Sequence, residues 1–302
     1  MDLAQTLKSI VAIHALVPED AFTADALGTE RAGSGVVIGD GLVLTIGYLI
    51  TEADRIWLRS QDGRLIQGHA LAIDQETGFG LVQALGSLDL PALELGVSGE
   101  AELGDAVVVA GGESGQYVRA SLVARQPFAG YWEYLLDEAL FTAPAHPLWG
   151  GAGLIDAEGR LIGIGSLLVQ QMTETGETRD ANMIVPIDLL KPILDDLLTR
   201  GQSRRPARPW LGVFSADHEG GVVVVSLADD GPAAVAGVRP GDVIAAVGEE
   251  EVGSLAEFYR ALWNAGPPGT DIVLRLVRDE RILTLRVRSA NRMDLLKKPR
   301  LH

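Results

Sequence analysis

The 302-residue chain contains no cysteine. That absence removes disulfides, thiolate metal sites and cysteine nucleophiles together, and by itself identifies no compartment. Basic residues are also scarce: 25 Lys and Arg stand against 41 Asp and Glu, a formal net charge of -16. The excess is uneven, with 28 acidic and 13 basic residues in 1–205 but 13 and 12 in 206–302. A surface this acidic repels polyphosphate backbones and anionic membranes, so nucleic acid is not an expected partner and the charge reads as solubilising. No apolar run approaches the ~18 residues of a membrane-spanning helix, because Asp, Glu, Arg or Gly interrupts each one. The opening MDLAQTLKSIVAIHALVPED lacks the basic start, apolar middle and small-residue cleavage site of a secretory signal, which predicts a cytoplasmic protein, or a periplasmic one if Met1 was added to a mature form. His14, His69, His146, His218 and His302 show no paired ligand spacing, and no glycine-rich strand-to-helix turn is present. Neither a metal nor a cofactor is expected.

What the chain does have is the composition of an ordinary globular protein, 47% hydrophobic and 22% charged, with length for about two domains. Short β-branched runs fill residues 10 to 170: SIVAIHAL (9–16), GVVIGDGLVLT (35–45), RIWLRSQDGRLIQGHALAID (55–74), DAVVVAG (105–111) and GRLIGIGSLLV (159–169). Asp40-Gly41 and Asp62-Gly63 are tight-hairpin dipeptides, so consecutive strands pair antiparallel. Many short strands without intervening helices predict a barrel or sandwich.

A helical pattern follows at 186–200, with Leu189, Leu190, Ile193, Leu194, Leu197 and Leu198 at three- and four-residue spacing. Gly201 is placed to end it, and Pro192 should kink it or delay its start. The Arg- and Pro-rich GQSRRPARP (201–209) reads as a linker. Beyond it, strands are predicted at 220–227, 242–248, 271–279 and 281–289, and a helix at 254–266 with Ser254 as N-cap. The organisation expected is a first domain over 1–201, a linker over 202–209, a second domain over 210–290 and a basic tail over 291–302.

Four segments in order, GSGVVIGDGLVLT (33–45), DQETGFGLV (74–82), PLWGGAGLID (147–156) and VPIDLLKPILDDLLTRG (185–201), resemble the landmarks of an HtrA-type, trypsin-like serine protease. WLGV (210–213), then GPAAVAGVRPGDVI (231–244), a helix and two closing strands resemble a PDZ domain of the circularly permuted bacterial kind. The fold class implied is mainly β: a chymotrypsin-like double β-barrel followed by an α+β PDZ domain. In the family the first of these segments continues into Asn-His-Val, the second reads Asp-x-x-Thr-Asp-Leu-Ala, and the third reads Pro-Gly-Asn-Ser-Gly-Gly-Pro-Leu. Laid on this sequence without gaps, the histidine position is Tyr48, the aspartate position Gly78 and the nucleophile position Gly150. A shift of one residue puts Trp149 in the nucleophile position instead, and neither choice supplies a hydroxyl.

Peptide hydrolysis of this kind needs a serine oxygen activated by an imidazole that a carboxylate orients. A phenol with pKa near ~10 is a poor base at neutral pH, and glycine has no side chain to use. Leu148 falls where the family has a glycine whose N–H helps to build the oxyanion hole. Loss of a complete triad corresponds to about a million-fold in turnover. Ser34 and Ser166 lie in strands and read as structural hydroxyls, His146 as a hydrogen-bonded loop residue, and Tyr131, Trp132 and Trp149 as packing aromatics. The resemblance thus implies an HtrA-like pseudoprotease with no catalytic residues. Its expected role is an adaptor or scaffold that binds protein C-termini or extended peptides, or an active homologue, with the oligomeric state open.

PDZ domains add a peptide as an extra strand and capture its terminal carboxylate on backbone N–H groups. By resemblance that loop is Trp210, Leu211, Gly212 and Val213, and Phe258, Tyr259 and Leu262 belong to the helical wall of the groove. Two other readings stay open: a serine endopeptidase with a rearranged or subunit-completed site, and a chaperone-like holder of unfolded chains.

Overall fold

The computed structural model describes residues 2–112, 115–172 and 176–297. It divides into two compact units: Met1–Gln126 with Glu138–Arg204 and Leu296–His302, and Pro127–Asp137 with Arg205–Leu295. The last five residues of the basic tail, 298–302, lie outside the described residues.

In the first unit the β-branched runs become β1 (Ile10–Leu16), β2 (Glu30–Gly39), β3 (Leu42–Ile46), β4 (Arg55–Arg59), β5 (Leu65–Ile73) and β6 (Phe79–Ala84). They close a barrel in the order β1-β2-β3-β6-β5-β4. β1 closes it by pairing with β2 on one side, Ile13 opposite Gly33, and with β4 on the other, Ile13 opposite Leu58. Asp40-Gly41 connects β2 to β3 and Asp62-Gly63 connects β4 to β5, as hairpin turns of that chemistry should. Ile10, Val36, Val43, Leu44, Leu58 and Leu81 are fully buried. Alternate residues of each strand therefore supply one shared interior.

A second barrel follows the same logic with β7 (Ala106–Gly111), β8 (Gln116–Gly130), β9 (Tyr134–Ala143), β10 (Gly153–Ile155), β11 (Leu161–Met172) and β12 (Thr178–Pro186), in the order β10-β11-β12-β9-β8-β7. Val109, Leu122, Leu140, Leu154, Ile162 and Ile184 form its core. The expected helix over 186–200 is shorter than its leucine pattern. A 3₁₀ turn at Ile187–Leu189 precedes an α-helix over Leu194–Arg200 only, so Pro192 delays the start rather than kinking a continuous helix. Gly201 ends it at φ 73°.

In the second unit β13 (Val213–His218), β14 (Gly221–Leu227), β15 (Val243–Val247), β16 (Glu250–Glu251), β17 (Asp271–Arg278) and β18 (Arg281–Arg288) form one sheet, β13-β14-β15-β17-β18, with β16 paired to β15. β13 is therefore an edge strand. The helix Leu255–Asn264 is capped by Ser254, whose side chain accepts from the Glu257 N–H, and by Asp217, which accepts from the Leu255 N–H at 2.6 Å. Leu211, Val213, Ile244, Phe258, Tyr259, Leu262, Leu274 and Leu276 share its core, and Leu135 from the 127–137 segment belongs to the same cluster.

Candidate functional sites

The first barrel carries Tyr48 on the 3₁₀ turn Gly47–Leu49 at the end of β3. Buried Arg31 fixes that turn by donating to the carbonyls of Tyr48 at 2.8 Å and Thr51 at 3.0 Å. Gly78 lies beside it, its carbonyl accepting from Gly47 N–H at 2.7 Å. The loop before Gly78 is built by Asp74, whose Oδ2 accepts from the N–H and hydroxyl of Thr77. Gly78 itself has φ 84°, a region that L side chains rarely adopt. A Cβ added at Gly150 would lie 2.8 Å from Tyr48 Oη. The three positions thus meet at one place, and the phenol occupies the room beside Gly150.

The phenol is held on both sides. Its hydroxyl donates to the Ser166 carbonyl at 2.8 Å. Burial pushes it above its ordinary range, against a weaker pull from a hydrogen bond with the Trp149 side chain. It therefore stays protonated and supplies no base at neutral pH. Gly151 follows at φ 75°, where a Cβ would fall 1.9 Å from the Ser34 carbonyl, so the loop admits only glycine there.

Leu148 is half-exposed at its side chain, but its N–H donates inward to His146 Nδ1 at 3.0 Å. His146 is buried, and burial holds its ring below the usual histidine range. A neutral ring that accepts at Nδ1 carries its proton on Nε2, which faces the Gln116 carbonyl at 3.3 Å. Asn182 brackets the same residue, accepting from His146 N–H at 2.6 Å and donating to its carbonyl at 3.1 Å. Ser34 accepts from Gly112 N–H at 2.8 Å, a packing role for its buried hydroxyl.

In the second unit Trp210 pairs through its backbone with Ala290, and Leu211 and Val213 are fully buried. Gly212 has φ 77°, and a Cβ there would meet Trp210 Cη2 at 2.9 Å. Its left-handed backbone turns successive N–H groups to one side, a concavity suited to an anion. A carboxylate is there. Glu133 Oε1 accepts from Gly212 N–H at 2.7 Å, Val213 N–H at 3.0 Å and Leu211 N–H at 3.2 Å, and Oε2 lies 3.1 Å from Leu211 N. Burial raises this carboxyl to about 7, opposed by those three N–H groups and by the charge of Arg292. Tyr259, a sequence-predicted groove residue, donates to the Gly130 carbonyl at 2.7 Å and accepts from Glu133 N–H at 3.2 Å. Phe258 and Leu262 are fully buried in the apolar cluster.

Two domain families match the sequence: the trypsin-like peptidase domain over residues 33–164 and the PDZ domain over 209–288. The chain is 27% identical over 268 residues to a probable periplasmic serine endoprotease, DegP-like, of Hahella chejuensis, covering 82% of this chain and 55% of that protein. It is 26% identical over 271 residues to the serine endoprotease DegS of Haemophilus influenzae, covering 87% and 78%. Among solved structures, the HtrA-type protease AlgW with decapeptide aligns at a TM-score of 0.57 and 22% identity, covering 99% of this chain and 100% of that one. The chain thus combines a trypsin-like peptidase domain with a PDZ domain, the arrangement of the HtrA-type serine proteases it is similar to.

It spans about half the length of the DegP-like relatives it matches. Those relatives are named as periplasmic, which overturns the cytoplasmic expectation drawn from the first twenty residues. Within the HtrA-type frame, two features had no local sequence signal: the hydrogen bonds that refill the space around Gly150, and the carboxylate of Glu133.

Proposed function

We propose that this HtrA-type chain binds peptides and does not cleave them: a pseudoprotease whose PDZ domain receives C-termini or extended segments of other proteins, as an adaptor or regulatory scaffold. The single observation that carries the first half is the meeting of Tyr48, Gly78 and Gly150 at one locus with no carboxylate, imidazole or hydroxyl nucleophile among them. Two further facts support it. Tyr48 donates to Ser166 and cannot act as a base, and the Leu148 N–H is turned onto His146 instead of outward toward a developing oxyanion. Gly212 and its neighbours support the second half, because their N–H groups converge on a carboxylate. The periplasm, named for the DegP-like relatives, is the compartment adopted with this reading.

The names of those relatives favour a second reading, a serine endopeptidase, in which nucleophile and base come from elsewhere. Among the described residues, Ser34 and Ser166 are buried serines near this locus, and His146 is a nearby imidazole with both ring nitrogens engaged. One experiment separates the readings: incubation with a fluorophosphonate probe and with unfolded casein. The pseudoprotease reading expects neither labelling nor cleavage, and stoichiometric labelling of any serine would establish the endopeptidase.

A further inference from the structure

We propose that the carboxylate-receiving loop of this PDZ domain is held shut by a ligand built into the same chain. Glu133, at the tip of the β8–β9 hairpin, sits on Leu211, Gly212 and Val213 as a free C terminus would. A partner peptide with a free α-carboxylate then binds only by displacing it. This rests on the reading of residues 210–213 as a carboxylate receiver, and it adds that the receiver is already occupied.

Four observations converge on the same segment. First, the chemical group is the right one: a carboxylate taking three backbone N–H donors, the shortest at 2.7 Å. Second, the segment lies along the free edge of β13, since Ser215 N–H donates to the Tyr131 carbonyl at 2.9 Å. That is the backbone pairing by which an added peptide strand would bind. Third, Leu135, two residues beyond the carboxylate, is buried in the apolar cluster with Leu211, Val213, Phe258 and Leu262. Fourth, Glu133 is held at φ 58° at the end of a three-residue hairpin loop, Tyr131-Trp132-Glu133. Glycine meets that backbone requirement more easily, so the turn does not call for a glutamate. Its carboxylate has the use that its backbone lacks. Tyr259 ties the tip in place through Gly130 and Glu133, and Arg260 pairs with Asp137 at 2.6 Å on the returning strand.

Because the hairpin is part of the chain, Glu133 competes as an intramolecular ligand at an effective concentration on the order of millimolar. A peptide's apparent affinity falls by the fraction of molecules whose loop is open. The occupant is thus a threshold on partner binding.

The test uses the full chain, as wild type and as Glu133→Ala, Glu133→Gly and Glu133→Gln. Glycine suits the positive φ, so it removes the carboxylate without adding backbone strain. The probe is a fluorescein-labelled pool of decapeptides ending in free Val, Leu or Phe, with the same pool amidated as control, read by anisotropy. The expected result is that the Ala and Gly variants bind the free-acid pool about ten to a hundred times more tightly than wild type, with Gln between. Equal affinity of wild type and all variants, with the free acid preferred over the amide, overturns the self-occupied loop and leaves the carboxylate reading standing. Failure of every variant to prefer the free acid overturns that reading, and this inference with it.

Discussion

Tyr48 in the trypsin-like domain and Glu133 in the PDZ domain each place an oxygen in a site that its family frame would leave for other chemistry. The two differ in kind. Tyr48 is neutral and buried, bonded to Ser166 on one side and to Trp149 on the other. On the proposed pseudoprotease reading it stands where reacting groups would be, built into the packed interior. Glu133 carries the same functional group that the Leu211–Val213 loop would accept from a peptide, on three N–H donors that survive its departure. A replacement is permanent and an occupant is exchangeable, so the first site should resist restoration while the second should respond to a single side chain.

The largest effect separating them is on catalysis. Purified protein should hydrolyse casein about a million-fold more slowly than an HtrA-type enzyme with its triad, measured by peptide release over hours. The triple variant Tyr48→His, Gly78→Asp, Gly150→Ser should regain little of this. Gly78 at φ 84° resists a side chain, and the Leu148 N–H stays on His146. Robust turnover by that variant would show that the first site is as exchangeable as the second.

The next effect tests the loop itself. In full-length Glu133→Gly protein, amidating a bound free-acid peptide should weaken it by about one to two decades, since a charge-assisted hydrogen bond contributes about 1.5–3 kcal/mol. Gly212→Val in that background should do comparable damage, because φ 77° and a Cβ 2.9 Å from Trp210 deny it a side chain. Titration calorimetry reads both.

Wild-type binding should also depend on pH, with a definite sign. In the closed loop the Glu133 carboxyl is raised to about 7, while a displaced, hydrated Glu titrates near its ordinary 4.5. The closed state holds the proton more tightly, so closure is strongest at acid pH and weakens as pH rises through about 7. The charge of Arg292 acts on the carboxylate, Tyr259 stays a protonated phenol, and the peptide's own carboxylate is ionised. Peptide affinity should therefore drop on the order of tenfold from pH 7.5 to 5.5 in wild type and stay flat in Glu133→Gln. A rise on acidification would break the assignment of closure to a buried carboxyl.

Much of both domains was legible because their local chemistry agrees with their topology. β-branched runs and Asp-Gly turns marked the first barrel's strands, Ser254 marked a helix start, and Gly201 marked a helix end. The positions proposed for the triad could be laid out in sequence because Asp74 and Thr77 mark the loop before Gly78 and Gly151 follows Gly150. What fills each site was not. Tyr48 and Ser166 are 118 residues apart, and Glu133 lies 79 residues before Gly212, so no local pattern links either pair. The β8–β9 strands also escaped notice. Arg119, Ser121, Arg125 and Gln126 interrupt the apolar run, and alternation that is half exposed looks like a loop in one dimension. A glutamate among 41 acidic residues carries no mark of being an occupant until the chain is folded.

The smallest effect asks how firmly Tyr48 is built in. Gly150→Ser alone should destabilise the protein by about 1–3 kcal/mol, because its Cβ would sit 2.8 Å from a hydroxyl that is buried and bonded to Ser166. Tyr48→Phe alone should cost about 1–3 kcal/mol by stranding the Ser166 carbonyl. Combined, they should cost less than their sum, since removing the hydroxyl opens the room that the new Cβ needs, and the coupling should exceed about 0.5 kcal/mol. Urea denaturation of the four proteins in the cycle measures it. Strict additivity would mean that Tyr48 does not fill the space beside Gly150, and the contrast between a built-in replacement and an exchangeable occupant would lose its first half.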